Sequence, residues 1–268
     1  MRFREALNLK PHEIISLVGG GGKTTLMFAL ARELASSRQH VVTTTTTKIL
    51  ESEPSHHGSP MLIIENDERK VVTAVVASLT RFTHITLASE RLPDSGKIKG
   101  IGPRMVDELA RLEQISYIIV EADGAAHRSL KAPNATEPVI SQSSTLVIPV
   151  VGIDSLGTIL SDDTVFRPQI VSQLTALALG DTITEDTIAT LVTHTAGIAK
   201  GSPGTARIVP FINKMDIEED SLSTGTSLAM NILRRRHPQV DSVVLGQAQA
   251  ADPVVQVISA QAAELART

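Results

Sequence analysis

An α/β fold, with helices on both faces of a mainly parallel sheet, is what this sequence predicts. Three observations predict it: short apolar runs recur along the chain, they read as continuous rather than alternating, and helix-period stretches separate them. Continuous apolar runs suit strands buried on both faces of a parallel sheet. Strands alternating with helices suit a layered α/β fold.

EIISLV (13–18) is the first compact β-rich run, and KTTLMFALARELASS (23–37) follows with Leu26, Ala29, Leu30 and Leu34 on one helical face. HVVTTTTTKIL (40–50) reads as the second strand and MLIIE (61–65) as the third, after a polar loop SEPSHHGSP (52–60). HITLA (84–88) and ISYIIVE (115–121) are further strands, the latter preceded by a helix over PRMVDELARLEQ (103–114). TLVIPVVG (145–152), ARIVPFIN (206–213) and SVVLG (242–246) complete the series, with KGSPGTA (200–206) a loop by composition. No internal repeat or convincing linker divides the chain, so residues 1–268 are expected to form a single nucleotide-binding domain.

The composition narrows the function. A formal charge of −4 gives no pull toward nucleic acid or anionic lipid, and 2% aromatic residues leave little for stacking bases. Without cysteine there is no disulfide, thiolate metal site or catalytic thiol. The start MRFREALNLKPHE lacks a signal-type apolar run, and no later run reaches membrane-spanning length, so a cytoplasmic protein is expected.

SLVGGGGKTTL (16–26) carries the first chemical signal. The usual phosphate-loop pattern, G-x-x-x-x-G-K-[ST], has a glycine five residues before the one preceding the lysine, and Leu17 stands there. The context is nevertheless that of a phosphate loop: a strand, the glycines Gly19, Gly20, Gly21 and Gly22, then a helix opening at Lys23. Glycines let backbone N–H groups turn toward an anion, and the helix N-terminus adds its own. Lys23 is expected to reach the β- and γ-phosphates, Thr24 to bind Mg²⁺, and Thr25 to belong to the same binding turn. A purely steric glycine turn is the alternative, but four glycines in a row cost much chain entropy.

IVPFINKMD (208–216) places Asn213, Lys214 and Asp216 past a strand end, in the N-K-x-D order by which GTP-binding proteins read guanine. A carboxylate at Asp216 can accept from both N1–H and the N2 amine of guanine, and adenine has neither donor there. Lys214 can lie over the base plane, and Asn213 can brace the phosphate loop. The competing explanation is a polar turn closing a buried strand. GTP is therefore expected in preference to ATP.

YIIVEADGAAH (117–127) ends an apolar strand in acids, where a Mg²⁺-holding carboxylate sits in phosphate-loop proteins. Glu121 and Asp123 are two apart and share a face on an extended strand. Asp123 is the preferred metal-side acid, with Glu121 as its rival or as a water-positioning base. The run Thr43 to Thr47 suits a strand by β-branching alone. Thr46 or Thr47 can also complete a Mg²⁺ shell, and Lys48 can stabilise charge developing on phosphate.

MRFREALNLKP, EIISLVGGGGKTTLMFALARELA, TTTTK, KGIGP, VDEL, IIVEADGA and NKMD, in that order, resemble the bacterial selenium-dependent hydroxylase accessory protein family. The likeness runs to about Asp216 and continues more weakly into SVVLGQA; one departure is SQSS after LKAPNATEPVI (130–140). The resemblance implies a P-loop NTPase-like three-layer fold with the same shortened glycine loop. It also implies a part in maturing molybdenum hydroxylases that carry a labile selenium cofactor, with such a hydroxylase or its cofactor-loading proteins as partners. The combined expectation is a GTP–Mg²⁺-binding protein and slow GTPase. The alternative is a small-molecule kinase or nucleotidyl transferase, with the threonine run, His127 and Asp154 offering an acceptor pocket.

Overall fold

The computed structural model describes residues 1–217 and 220–265. A one-turn helix α1 (Phe3–Ala6) precedes strand β1 (Glu13–Gly19), helix α2 (Lys23–Ser36) and strand β2 (Val41–Thr45). Then come β3 (Lys48–Leu50), α3 (Glu53–His56), β4 (Leu62–Ile64), α4 (Glu68–Leu79), β5 (His84–Ala88), β6 (Glu90–Leu92), β7 (Lys97–Lys99), α5 (Pro103–Leu109) and β8 (Tyr117–Glu121). β9 (Leu130–Lys131), β10 (Leu146–Gly152), β11 (Val165–Phe166), α6 (Pro168–Thr175) and α7 (Glu185–Thr193) follow. The last part holds β12 (Arg207–Ile208), β13 (Phe211–Asn213), α8 (Ser221–Arg234), β14 (Ser242–Gly246), β15 (Val254–Ser259) and α9 (Ala260–Leu265).

The main sheet runs β15-β14-β13-β10-β1-β8-β2-β5-β4, with β12 also paired to β10. Only β15 pairs antiparallel; the other neighbours are parallel. Every residue of β1 and β8 is buried, as the continuous apolar runs require. Strand parity then sorts the two faces. Ile15, Leu17, Tyr117 and Ile119 pack with Phe3 of α1 and with Leu26, Leu30 and Leu34 of α2. Ile14, Ile118 and Val120 face Val71 and Val75 of α4 and Val106 of α5. Val147, Ile212 and Val243 face Ile188 of α7 and Leu228 of α8. The result is a three-layer α/β fold. Among the described residues no helix is long and apolar enough to cross a membrane.

Several expected elements are divided. The run 40–50 leaves the main sheet after Thr45, and β3 instead joins β7 and β6 in a small antiparallel sheet. The run 206–213 breaks at Pro210, which has no N–H to donate to a ladder, leaving β12 and β13. The helix expected over 103–114 stops at Leu109, and the loop 52–60 contains α3. SQSS (141–144) holds two elements together: Ser141 Oγ and Ser143 N–H both donate to the Asp107 carboxylate on α5.

The threonines of β2 are tied inside this frame. Thr43 Oγ1 is hydrogen-bonded to His84 Nε2 at 3.0 Å and to Thr86 Oγ1 at 2.8 Å. Burial, helped by the Arg32 charge, lowers the His84 pKa to about 4. A histidine whose folded pKa is depressed contributes stability that is fully present above its unfolded pKa, 6.5, and is lost as pH falls toward 4. The loss expected is about 3 kcal/mol at most. Urea unfolding at neutral pH and near pH 4 is expected to show a smaller loss in His84→Gln than in wild type. Equal losses would assign the acid sensitivity to other groups.

Candidate functional site

The carboxyl ends of parallel strands in an open α/β sheet are where ligands bind. Here β1, β8, β10, β13 and β14 end side by side, at Gly19, Glu121, Gly152, Asn213 and Gly246. A cleft of about 570 Å³ lies at this edge, bordered by Gly20–Thr25, Glu121, Gly124–Arg128, Asn213, Lys214, Asp216 and Gln247–Gln249. Its remaining border is Ile217 together with Lys48, Ile49, Leu50, Glu53 and Lys97.

Three residues, Gly20 to Gly22, connect β1 to α2. Their conformation explains why side chains are missing. Gly21 has φ +71°, and an added Cβ would lie 2.2 Å from Gly152 N; Gly22 has φ +110°, and its Cβ would meet Asn213 Nδ2 at 2.7 Å. The loop is pinned from below: Gly20 N–H donates to Val150 O and Gly21 N–H to Arg128 O. The first helical bond is Leu26 N–H to Gly22 O. The amides of Lys23, Thr24 and Thr25 therefore stand ahead of it, at the end of the helix that attracts anions.

Glu121 shares the strand parity of Tyr117 and Ile119, which puts it on the α2 side. It accepts a hydrogen bond from Thr24 Oγ1 at 2.7 Å and lies 3.7 Å from Lys23 Nζ. Burial pushes its pKa up, while the Lys23 charge and the Thr24 hydroxyl pull it back. Asp123 is fully buried and does not border the cleft. Its oxygens accept from Gly19 N–H at 3.2 Å and pair with Lys23 at 3.3 Å and Lys131 at 2.8 Å. Lys23 Nζ also donates to Gly19 O at 2.6 Å, so the lysine is folded back onto its own loop.

Asn213 joins three segments: its Nδ2 donates to Gly21 O at 2.7 Å and its Oδ1 accepts from Ala248 N–H at 3.0 Å. Lys214, at φ +67°, is held by Ser129 Oγ and Asp154 Oδ2, each at 2.7 Å. Asp154 thus fixes Lys214 and does not itself border the cleft. Asp216 is exposed at the cleft border. Lys48 borders it too, whereas Thr46 and Thr47 do not: Thr46 Oγ1 donates to Val139 O, and Thr47 Oγ1 is bonded to Thr45 Oγ1. His127, at φ +61°, is exposed on the loop beside Arg128.

Sequence reasoning missed the buried partners of this site. Lys131, fully buried, donates to Gly124 O at 2.6 Å and pairs with Glu137 at 2.8 Å. Glu137 also takes Arg167 at 2.6 Å. Burial opposes its ionisation, but Arg167 and Lys131 hold its pKa below the usual carboxylate range. The one sequence signal was a lysine between Leu130 and Ala132, in an apolar setting that calls for a counter-charge.

A sequence profile of the YqeC protein family matches residues 15–169. That span holds the glycine loop, Glu121, Asp123, Lys131, Asp154 and Arg167, and stops short of Asn213 to Asp216. An uncharacterized protein YqeC of Escherichia coli (strain K12) is 33% identical over 135 residues, 50% of this chain and 53% of that protein. The match thus spans about half the length of that relative. With the profile covering more than half of the chain, the protein belongs to the YqeC family, the selenium-dependent hydroxylase accessory protein family that its ordered motifs resemble.

Proposed function

We propose that this chain binds GTP–Mg²⁺, hydrolyses it slowly, and acts as an accessory factor in maturing a selenium-dependent molybdenum hydroxylase. The observation that carries the nucleotide reading is Asn213, which bonds the phosphate loop at Gly21 and the β14 exit at Ala248. One side chain thereby ties the glycine turn to the segment that leads to Asp216, whose carboxylate suits the N1–H and N2 donors of guanine. The Ser129 and Asp154 anchors hold the Lys214 stem in place to lie against the base.

The oxygens of Thr24 and Glu121, 2.7 Å apart at the loop, fit Mg²⁺, which takes one or two protein ligands and fills its shell with phosphate and water. When bound, the metal neutralises charge on the β- and γ-phosphate oxygens. Lys23 leaves Gly19 O to meet the same phosphates, and the first-turn amides of α2 receive them. The segment after Asp123-Gly124 reads AAHR, with no glutamine to orient a water, which supports slow unaided turnover. Membership of the YqeC family supports the accessory role.

Thermal unfolding with GTP, GDP or ATP, each with Mg²⁺, tests the nucleotide reading. GTP and GDP are expected to raise the Tm and ATP to leave it unchanged; a ligand at one hundred times its Kd adds about 2.7 kcal/mol. Lys23→Ala and Asp216→Asn are both expected to remove the GTP shift. Equal stabilisation by ATP would reduce Asn213 to Asp216 to a turn, and an ATP-dependent kinase or transferase would replace the GTPase.

A further inference from the structure

The cleft has a border that the nucleotide reading leaves unused, and the strand order shows on which side it lies. From β1, the base-reading strand β13 lies two positions to one side, and β2 and β5 lie two and three positions to the other. A nucleotide with its phosphates on the glycine loop and its base at Asp216 runs toward β13. The β2–β5 side is bordered by the small β3-β7-β6 sheet.

That sheet packs Ile49 and Ile98 inward against Ala88. Strand alternation then turns Lys48, Leu50, Lys97 and Lys99 outward, and all four are exposed. Lys48, Leu50 and Lys97 border the cleft. Lys48 stands directly across from Lys99, a like-charge pair that destabilises a sheet, and Glu90 across from Lys99 offsets it only in part. Lys97 sits between Leu50 and Leu92, with no acid on either side. Of the nearby acids, Glu51 pairs with Arg91 at 2.7 Å, and Glu53, which also borders the cleft, lies 3.1 Å from His57 Nε2. Neither Lys48 nor Lys97 has an ion-pair partner among the described residues.

We propose that β3 and β7 form a second subsite in the cleft, for an anionic co-substrate with an apolar body: a small molecule bearing phosphate or carboxylate. The lysines take its charge, and Leu50, turned outward between them, its apolar part. The subsite rests on the reading of the glycine loop as the triphosphate site, which leaves this side of the cleft free.

The test uses protein loaded with Mg²⁺ and a non-hydrolysable GTP analogue, titrated calorimetrically with phenyl phosphate and with benzoate. Saturable binding of at least one probe is expected, and the preferred probe tells phosphate from carboxylate. Lys97→Glu is expected to weaken that binding about ten-fold or more while changing affinity for the analogue less than about two-fold. No saturable binding of either probe overturns the subsite. So does a Lys97→Glu effect confined to the analogue, which would make the lysines part of the nucleotide's own phosphate site. If the analogue itself does not bind, the guanine reading fails separately. Probe binding to the unliganded protein that depends on Lys97 and not on Lys23 would then still support the second subsite, and the opposite dependence would overturn it.

Discussion

Replacing Lys131 with methionine is expected to lower stability by about 3–5 kcal/mol, the range for breaking a buried ion pair from one side. The reason lies in a closed charge count. Glu121, Asp123 and Glu137 face Lys23, Lys131 and Arg167, and the links run without a gap from the glycine loop to β11. Removing Lys131 leaves three carboxylates and two cations in a setting where an unpaired charge is costly. The consequence for binding is separate from folding. Lys23 lies against Asp123; in the proposed GTP complex, where Lys23 turns to phosphate, Lys131 is the cation that remains on Asp123. Without Lys131 that move strands a buried carboxylate, so GTP affinity is expected to fall about ten-fold or more in the folded variant. Asp123→Asn combined with Lys131→Met restores the charge count and keeps a hydrogen-bonding group at Gly19 N–H. The double variant is therefore expected to recover more than half of both losses. Urea unfolding and GTP titration across the cycle measure this, and losses that simply add would show that Lys131 and Asp123 act independently.

What the sequence made legible follows the same division between local pattern and remote pairing. β1, β5, β8, β10 and β14 were readable because each is a short, mostly apolar run, and α2 because its leucines repeat at helical spacing. The glycine loop and N-K-x-D were readable as local motifs, and the structure brings both to one cleft. The threonine run was harder. Its β-branched composition continues past Thr45, but Thr45 Oγ1 bonds Glu121 O and Gly100 N–H bonds Thr47 O, and these contacts turn the chain into β3. α8 is built from SLSTGTSLAMNILR, whose serines, threonines and glycine dilute the helical signal until Leu228 and Ile232 meet the sheet. Lys131 was illegible as a site residue because its meaning depends on Asp123, Glu137 and Arg167, which no local pattern links to it.

The two acids of EADG are expected to separate cleanly when changed one at a time. Glu121 borders the cleft, touches the Thr24 hydroxyl, and is the carboxylate whose ionisation burial opposes. A divalent cation arriving beside it supplies the charge that favours the ionised form. Glu121→Gln keeps the shape and a partner for Thr24 but removes that charge. The gain in GTP affinity on adding Mg²⁺ is expected to shrink about ten-fold or more, with a smaller stability loss than at Asp123, because Glu121 has one cation, at 3.7 Å, and burial already opposes its charge. Asp123 is placed otherwise, beneath Gly19 and between two lysines. Asp123→Asn leaves Lys23 and Lys131 one carboxylate short, so a stability loss of about 3 kcal/mol is expected while the Mg²⁺-dependent gain persists. GTP titration with and without Mg²⁺, paired with urea unfolding, reads both quantities on each variant. If Asp123→Asn abolishes the Mg²⁺ gain and Glu121→Gln preserves it, then Asp123 is the metal-side acid after all. Nucleotide binding would then have to draw that buried carboxylate out from under Gly19 and away from Lys131.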